Sequence, residues 1–269
     1  MLKNLVGSKL LTTLTTISLF YGLLATLVDH KAIIAMMPPI AFTFLMGWLV
    51  VAIISALLSY KEFVCGFLLS AFSMMIAWRI AGIYNIEAIT IPLLFTFIFL
   101  LSNFIYCAKD NIAKTPEGMQ KAALYIWQLI FIRMYIGFDF IPHFTEKLFA
   151  GPIPHQADVQ SFVQLGVPHA DAFVWLAGCC EFGAGIALCL GLLLRAGALG
   201  TVIYLGIATY LGHHFLLGFI WAGPGGGWEF ATMWMILILS FALTGAHEFS
   251  IDQRLEDLYL LPRWITRWL

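Results

Sequence analysis

Charge is what this chain has least of. Asp, Glu, Lys and Arg make up only 11% of its 269 residues, against about 25% in a soluble globular domain. With 61% of the residues apolar and a net charge of −1, too little polar surface exists to cover a water-facing molecule, and nothing suggests a nucleic-acid partner. The chain also shows no nucleotide, flavin or haem motif. Its five cysteines all fall in or at the edges of apolar runs and read as small buried hydrophobes. Cys179 and Cys180 are neighbours on an expected helix and point to different faces, so a bridge between them would be strained.

What is present is long apolar runs. Eight can be marked, at about 10–28, 32–59, 63–83, 88–108, 122–141, 172–194, 196–215 and 228–246. Each approaches the ~20 residues that cross a bilayer as a helix, and none has the ~10-residue alternation of a barrel strand. The fold expected is an all-α membrane protein of about eight transmembrane helices. The first run exceeds a signal-peptide core and lacks a cleavage site, so it reads as a span, and Pro38-Pro39 should displace the first turns of the second. Eight crossings put both termini on one side. With that side cytoplasmic, ten of the fourteen Lys and Arg lie inside and only Lys31 and Lys147 outside, the positive-inside bias expected of a multi-pass membrane protein.

The polar joint Ala108–Lys121 divides the chain. Residues 1–108 read as one four-helix membrane region, 109–121 as a cytoplasmic linker and 122–250 as a second four-helix bundle. Residues 251–269 read as a cytoplasmic amphipathic tail, opening with a capping box of Ser250 and Gln253. Leu255, Leu258 and Tyr259 share one face of that tail, and Trp264 and Trp268 alternate with Arg263 and Arg267, as in a surface anchor. The segment 142–170, with four prolines, should be irregular apart from one short helix near Asp158–Leu165.

Three isolated charges stand in apolar surroundings: Arg133, Glu181 and Glu229. A charge at membrane depth is costly and is normally kept with a partner or a task. At ~1.5 Å per residue, with the fifth run ending at Ile141, Arg133 lies roughly 12 Å and Glu181 roughly 15 Å below the same outer end. The two depths predict a pair. Either it is a structural ion pair that holds two helices in register, or Arg133 and Glu181 line an outward-facing polar pocket. His213, His214 and Glu229 flank that mouth, and Asp139 can join it. Arg79 reads as snorkelling to the interface. The small residues Cys179, Gly183, Ala187 and Gly191 form a packing stripe. Six of the seven histidines fall on the outer side, but no two have metal-ligand spacing, so no metal site is assigned.

Several motifs follow in order: Arg133, Gly137, His143-Phe-Thr-Glu-Lys147-Leu-Phe149, Leu165-Gly-Val-Pro168, Ala177-Gly-Cys-Cys-Glu181-Phe-Gly-Ala-Gly185, Arg195, Gly226-Gly-Trp-Glu229-Phe230 and Gly245-Ala-His-Glu-Phe-Ser-Ile-Asp252. From Arg133 to about Leu255 the chain resembles the DoxX/DoxD family of four-helix membrane proteins, which makes the second bundle DoxX-like. The resemblance implies redox chemistry, in some members as the quinone-reducing small subunit of a thiosulfate:quinone oxidoreductase. On this reading the protein is a quinone-linked oxidoreductase subunit acting on sulfur compounds or thiols. Arg133 would bond a quinone carbonyl and stabilise developing negative charge, with His143 and Lys147 on the binding side. Glu181, His214 and Glu229 would relay protons. The electron donor would be a soluble or membrane redox partner or a small thiol. Beyond the lipid bilayer, a second copy of the chain is a permitted partner. The alternative is a non-enzymatic binding subunit or transporter for a small anion or an envelope partner.

Overall fold

Apolar runs long enough to cross a bilayer become helices because backbone N–H and C=O groups can be satisfied there only within the segment. The computed structural model describes residues 5–246 and 248–257. The tail residues Leu258, Tyr259, Arg263, Trp264, Arg267 and Trp268, expected to lie on the bilayer surface, fall outside the described residues. The elements are α1 (Lys9–Val28), α2 (His30–Met36), α3 (Pro39–Leu58), α4 (Phe63–Ile83), α5 (Glu87–Lys114), α6 (Gln120–Leu148), α7 (Pro152–Gln164), α8 (Ala170–Gly185), α9 (Leu194–Leu211), α10 (Glu229–Thr244) and α11 (Ile251–Asp257). A π turn, Ile186–Leu190, continues α8. Among the described residues seven helices are long and apolar enough to cross a membrane, and α10 is apolar but shorter. The protein is a multi-pass helical membrane protein in contact with bilayer lipid. The eighth expected span is present only as that short helix.

Helices α1, α3, α4 and α5 form the first bundle, with α4 the most enclosed of them. Small polar groups join its members, as is usual where no hydrophobic force distinguishes helix from lipid. Asn103 of α5 accepts from the Ser8 N–H (2.8 Å) and donates to Thr12 Oγ1 (3.1 Å), while Ser18 of α1 donates to the Pro92 carbonyl of α5 (2.7 Å). Pro38-Pro39 separates α2 from α3 as expected.

Two boundaries differ from the sequence expectation. Helix α5 runs on to Lys114, so the irregular part of the joint is only Thr115–Met119, including one short 3-10 turn. More consequentially, α6 does not stop at Ile141. It passes through Pro142 and ends at Leu148, because a proline removes one helical hydrogen bond and kinks a helix without having to end it. After the turn at Gly151, α7 begins with Pro152 in its first turn, where a missing N–H costs nothing.

The second bundle consists of two pairs. Helix α6 packs closely on α8, α9 packs on α10, and the two pairs meet loosely through α8 and α9. A Cβ on Gly137 of α6 would come 2.5 Å from the Cys189 backbone nitrogen, so only glycine lets α6 lie directly on the π turn. The bundles are joined by α4 and α6, by an Arg79–Glu146 ion pair, and by two aromatic clusters. One gathers Trp48, Phe72, Phe144, Phe149 and Phe182. The other gathers Phe63, Phe67, Phe104 and Trp127 around Phe249.

Candidate functional site

The extension of α6 past Pro142 carries Lys147 into the bundle. Its ammonium lies 3.1 Å from Glu181 Oε2 of α8 and donates to its own helix at the His143 carbonyl (3.2 Å). Both side chains are almost wholly buried, at 9% and 8% exposure. The other carboxylate oxygen of Glu181 accepts from Tyr204 Oη of α9 at 2.6 Å, a short charge-assisted bond. Lys147, Glu181 and Tyr204 thus tie α6, α8 and α9 together at one level. The ring of Phe182, next along α8, sits in the first aromatic cluster. That packing anchors α8 and so fixes where the Glu181 side chain points.

Helix α7 roofs this level. Its Asp158 places Oδ2 3.9 Å from Lys147 Nζ, outside hydrogen-bond range, and partial burial pushes the Asp158 carboxyl above the usual carboxylate range, against the pull of Lys147. His155 is buried on the face of Trp175, with Nδ1 2.7 Å from the Lys147 carbonyl and Nε2 3.1 Å from Asp171. A single histidine therefore links α7 to the ends of both α6 and α8.

Between α8 and α9, beneath α7, lies a cavity of about 520 Å³. Its walls are apolar, including Phe162, Leu176, Ile203 and Ile207, and its polar groups are Lys147, Glu181, Tyr204 and His214, with Cys180 beside them. Leu176, Ile203 and Ile207 are more than half exposed, so the gap is open, and the two helices that flank it are both long and apolar enough to cross a membrane.

Arg133 is not part of it. The expected Arg133–Glu181 pair does not form. Lys147 lies fourteen residues beyond Arg133 on α6, roughly 21 Å along the axis, and it is Lys147 that meets Glu181. Because α6 ends at Leu148 and not at Ile141, Arg133 lies further toward the other side of the bundle than a helix end at Ile141 implies. There it is fully buried and donates from Nη2 to the Phe249 carbonyl at 2.6 Å. The segment Phe249–Asp252 turns into the protein. Asp252 accepts from the backbone of Leu193 (2.7 Å) and Leu194 (3.0 Å), capping α9, and its own N–H bonds the Gly191 carbonyl (3.0 Å). Burial raises the Asp252 carboxyl while those two amides and Arg133 pull it down. Gly191 has φ +63°, and a Cβ there would sit 2.5 Å from Arg133 Nη1 and 2.6 Å from Ser250 Cβ.

The remaining expected site residues scatter. His214 reaches the cavity rim, its Nδ1 bound to the Gly226 carbonyl at 2.7 Å. Glu229 is exposed at the start of α10 and accepts from the Trp221 N–H at 3.1 Å. His143 is exposed on α6, offering only its carbonyl to Lys147. Asp139 does not line the cavity. Tyr204, Asp158 and His155 were not among the expected residues. A tyrosine inside an apolar run carries no signal of its own, since such residues usually pack or sit at an interface. His155 stands in a proline-rich stretch that reads as irregular, and Asp158 opens the short helix expected there without any signal of a role.

The family model DoxX matches residues 128–214, the stretch from α6 to the end of α9 that contains Lys147, Asp158, Glu181, Tyr204 and His214. The match stops short of the Gly226–Phe230 and Gly245–Asp252 motifs. No curated protein and no solved structure matches the chain.

Proposed function

We propose, for a chain whose residues 128–214 are a DoxX segment, that the cavity between α8 and α9 binds the headgroup of a membrane quinone and that the protein is a quinone-linked oxidoreductase subunit. The observation that carries this reading is an open apolar gap, between two helices long enough to cross a membrane, with one polar end. A hydrophobic ring compound arriving through lipid would meet apolar walls first and hydrogen-bonding groups last. Lys147 replaces Arg133 as the donor to a quinone carbonyl. Tyr204 and Glu181 stand within proton-transfer distance of one another, and the free Nε2 of His214 stands at the rim. His143 and Glu229, which lie off the cavity, fall out of the direct relay. Reduction of the headgroup takes two electrons and two protons. Two thiols supply both as they close to a disulfide, and that donor chemistry suits a sulfur-linked role. A small anion is the weaker candidate, because Lys147 is already neutralised by Glu181 and faces Asp158.

The end of the bundle carrying Lys61, Lys114 and Arg195 is taken as cytoplasmic, which puts α7 and the cavity on the outer side of a bacterial inner membrane. A phosphatase fused after Gly151 should be active and one fused at Lys114 silent. The reverse pattern would invert the orientation.

Gly200 lines the cavity, and a Cβ there meets nothing within 4 Å. In nanodiscs, a short-chain quinone at ~100 times its Kd should stabilise the folded protein by about 2.7 kcal/mol, a rise of roughly 5 °C in Tm. Gly200→Leu, which fills the gap, should abolish that rise with little change in the ligand-free Tm. A wild-type protein indifferent to quinones but stabilised by a small anion or an envelope partner would favour the non-enzymatic binding subunit.

A further inference from the structure

The α9–α10 connection, residues 212–228, has the surface of a membrane-buried segment and the position of a loop. It contains no Asp, Glu, Lys or Arg. Phe215, Leu216, Leu217, Phe219, Ile220 and Trp221 are 44–83% exposed, an apolar patch that a water-facing loop does not ordinarily carry. The helices it joins are short. At ~1.5 Å per residue, the 18 residues of α9 and the 16 of α10 give roughly 27 Å and 24 Å, against a hydrocarbon core of about 30 Å. Helix α9 is at the lower limit of what crosses the core, and α10 falls below it.

Its backbone is partly satisfied from within. The Gly227 N–H donates to the Ile220 carbonyl (3.1 Å), Trp228 to Gly218 (3.1 Å) and Glu229 to Phe219 (2.9 Å), while Leu216 and Leu217 donate to His213 and His214. The His214 ring and the Glu229 carboxylate hold Gly226 and Trp221 in place. Among the described residues the N–H groups of Phe215, Gly218, Phe219 and Ile220 make no backbone bond, which places this backbone at headgroup level, where water and headgroups can satisfy it, with only its side chains reaching the acyl chains.

We infer that the side chains of residues 215–221 are seated in the upper phospholipid acyl chains, at the end of the bundle where α10 falls short of the core. The partner of this surface is lipid. The inference stands apart from the quinone reading, since it needs only helix length, exposure and the absence of charge. It does have a consequence for that reading, because Leu211, Gly212 and His214, which line the cavity, then lie at the bilayer interface.

The test uses the full chain in nanodiscs, with the exposed native Cys179 and Cys180 changed to alanine. Leu216→Cys and, as a control on the exposed face of α7, Gln160→Cys are labelled with an environment-sensitive fluorophore in detergent and then reconstituted. The label at 216 should emit at shorter wavelength and be quenched by lipids brominated in the upper acyl chain, while the label at 160 is unaffected. Unlabelled Leu216→Cys in nanodiscs should lose reactivity toward a membrane-impermeant maleimide that Gln160→Cys retains. Ile220→Cys serves as a second position should Leu216→Cys fold poorly. Rapid maleimide labelling at 216 without lipid quenching would overturn the inference. So would protection from maleimide without lipid quenching, since a second copy or a protein partner would then be the cover.

Discussion

Lys147→Met will cost the folded protein about 3–5 kcal/mol, because it leaves Glu181 as a buried carboxylate without its cation. Glu181→Leu will be costly for the converse reason, stranding the ammonium of Lys147. The double variant will recover much of the loss, since removing both charges also removes both desolvation penalties. Unfolding of purified protein in mixed micelles measures the cycle. The informative contrast is a second cycle, Arg133→Met with Glu181→Leu. Those residues share no partner and lie far apart along the bundle, so their effects should add within about 0.5 kcal/mol. Strong coupling in the Arg133 cycle and none in the Lys147 cycle would contradict the geometry described here. If the quinone reading holds, the Lys147–Glu181 double variant will be stable yet will no longer respond to quinone.

Arg133→Met and Gly191→Val will release the C-terminal segment. The arginine variant removes a charged hydrogen bond to the Phe249 carbonyl, a loss of about 1.5–3 kcal/mol. The valine variant forces a β-branched residue into a left-handed conformation, itself about 1–2 kcal/mol, and drives its Cβ into Arg133 and Ser250. Either change loosens Phe249 from its ring cluster and Asp252 from the start of α9. Arg254, which otherwise pairs with Glu62 of the first bundle, then becomes a fast site for trypsin. Limited proteolysis read by mass spectrometry should show earlier cleavage after Arg254, together with a lower Tm. Unchanged digestion and an unchanged Tm would mean that Arg133 is not what holds the segment in.

The two kinds of residue were legible to different degrees. Helix spans could be read because a bilayer imposes a length and a polarity on every segment that crosses it, so eight apolar runs mapped onto seven long helices and one short one. Glu181 stood out as a lone acid in an apolar run, and the match to DoxX covers it. Tyr204 was not visible, because a phenol among Val, Ile and Leu looks like packing until a carboxylate is found opposite it. His155 was hidden by the prolines around it, and Asp158 carried no signal of a role.

The sequence alone determined that this is a helical membrane protein with a break at Pro38-Pro39 and a few charges it must account for at depth. Those properties follow from local composition, which the bilayer reads segment by segment. Which charge meets which was decided only in three dimensions. Whether α6 ends at Ile141 or runs through Pro142 to Leu148 depends on what packs beyond the proline, and that difference moves Arg133 away from Glu181 and brings Lys147 to it. The inward turn of Phe249–Asp252 likewise depends on partners more than a hundred residues distant in one case, since Arg133 and Phe249 are separated by 116 positions. Hydropathy describes how one segment suits lipid. It carries no information about which neighbour will satisfy a buried charge.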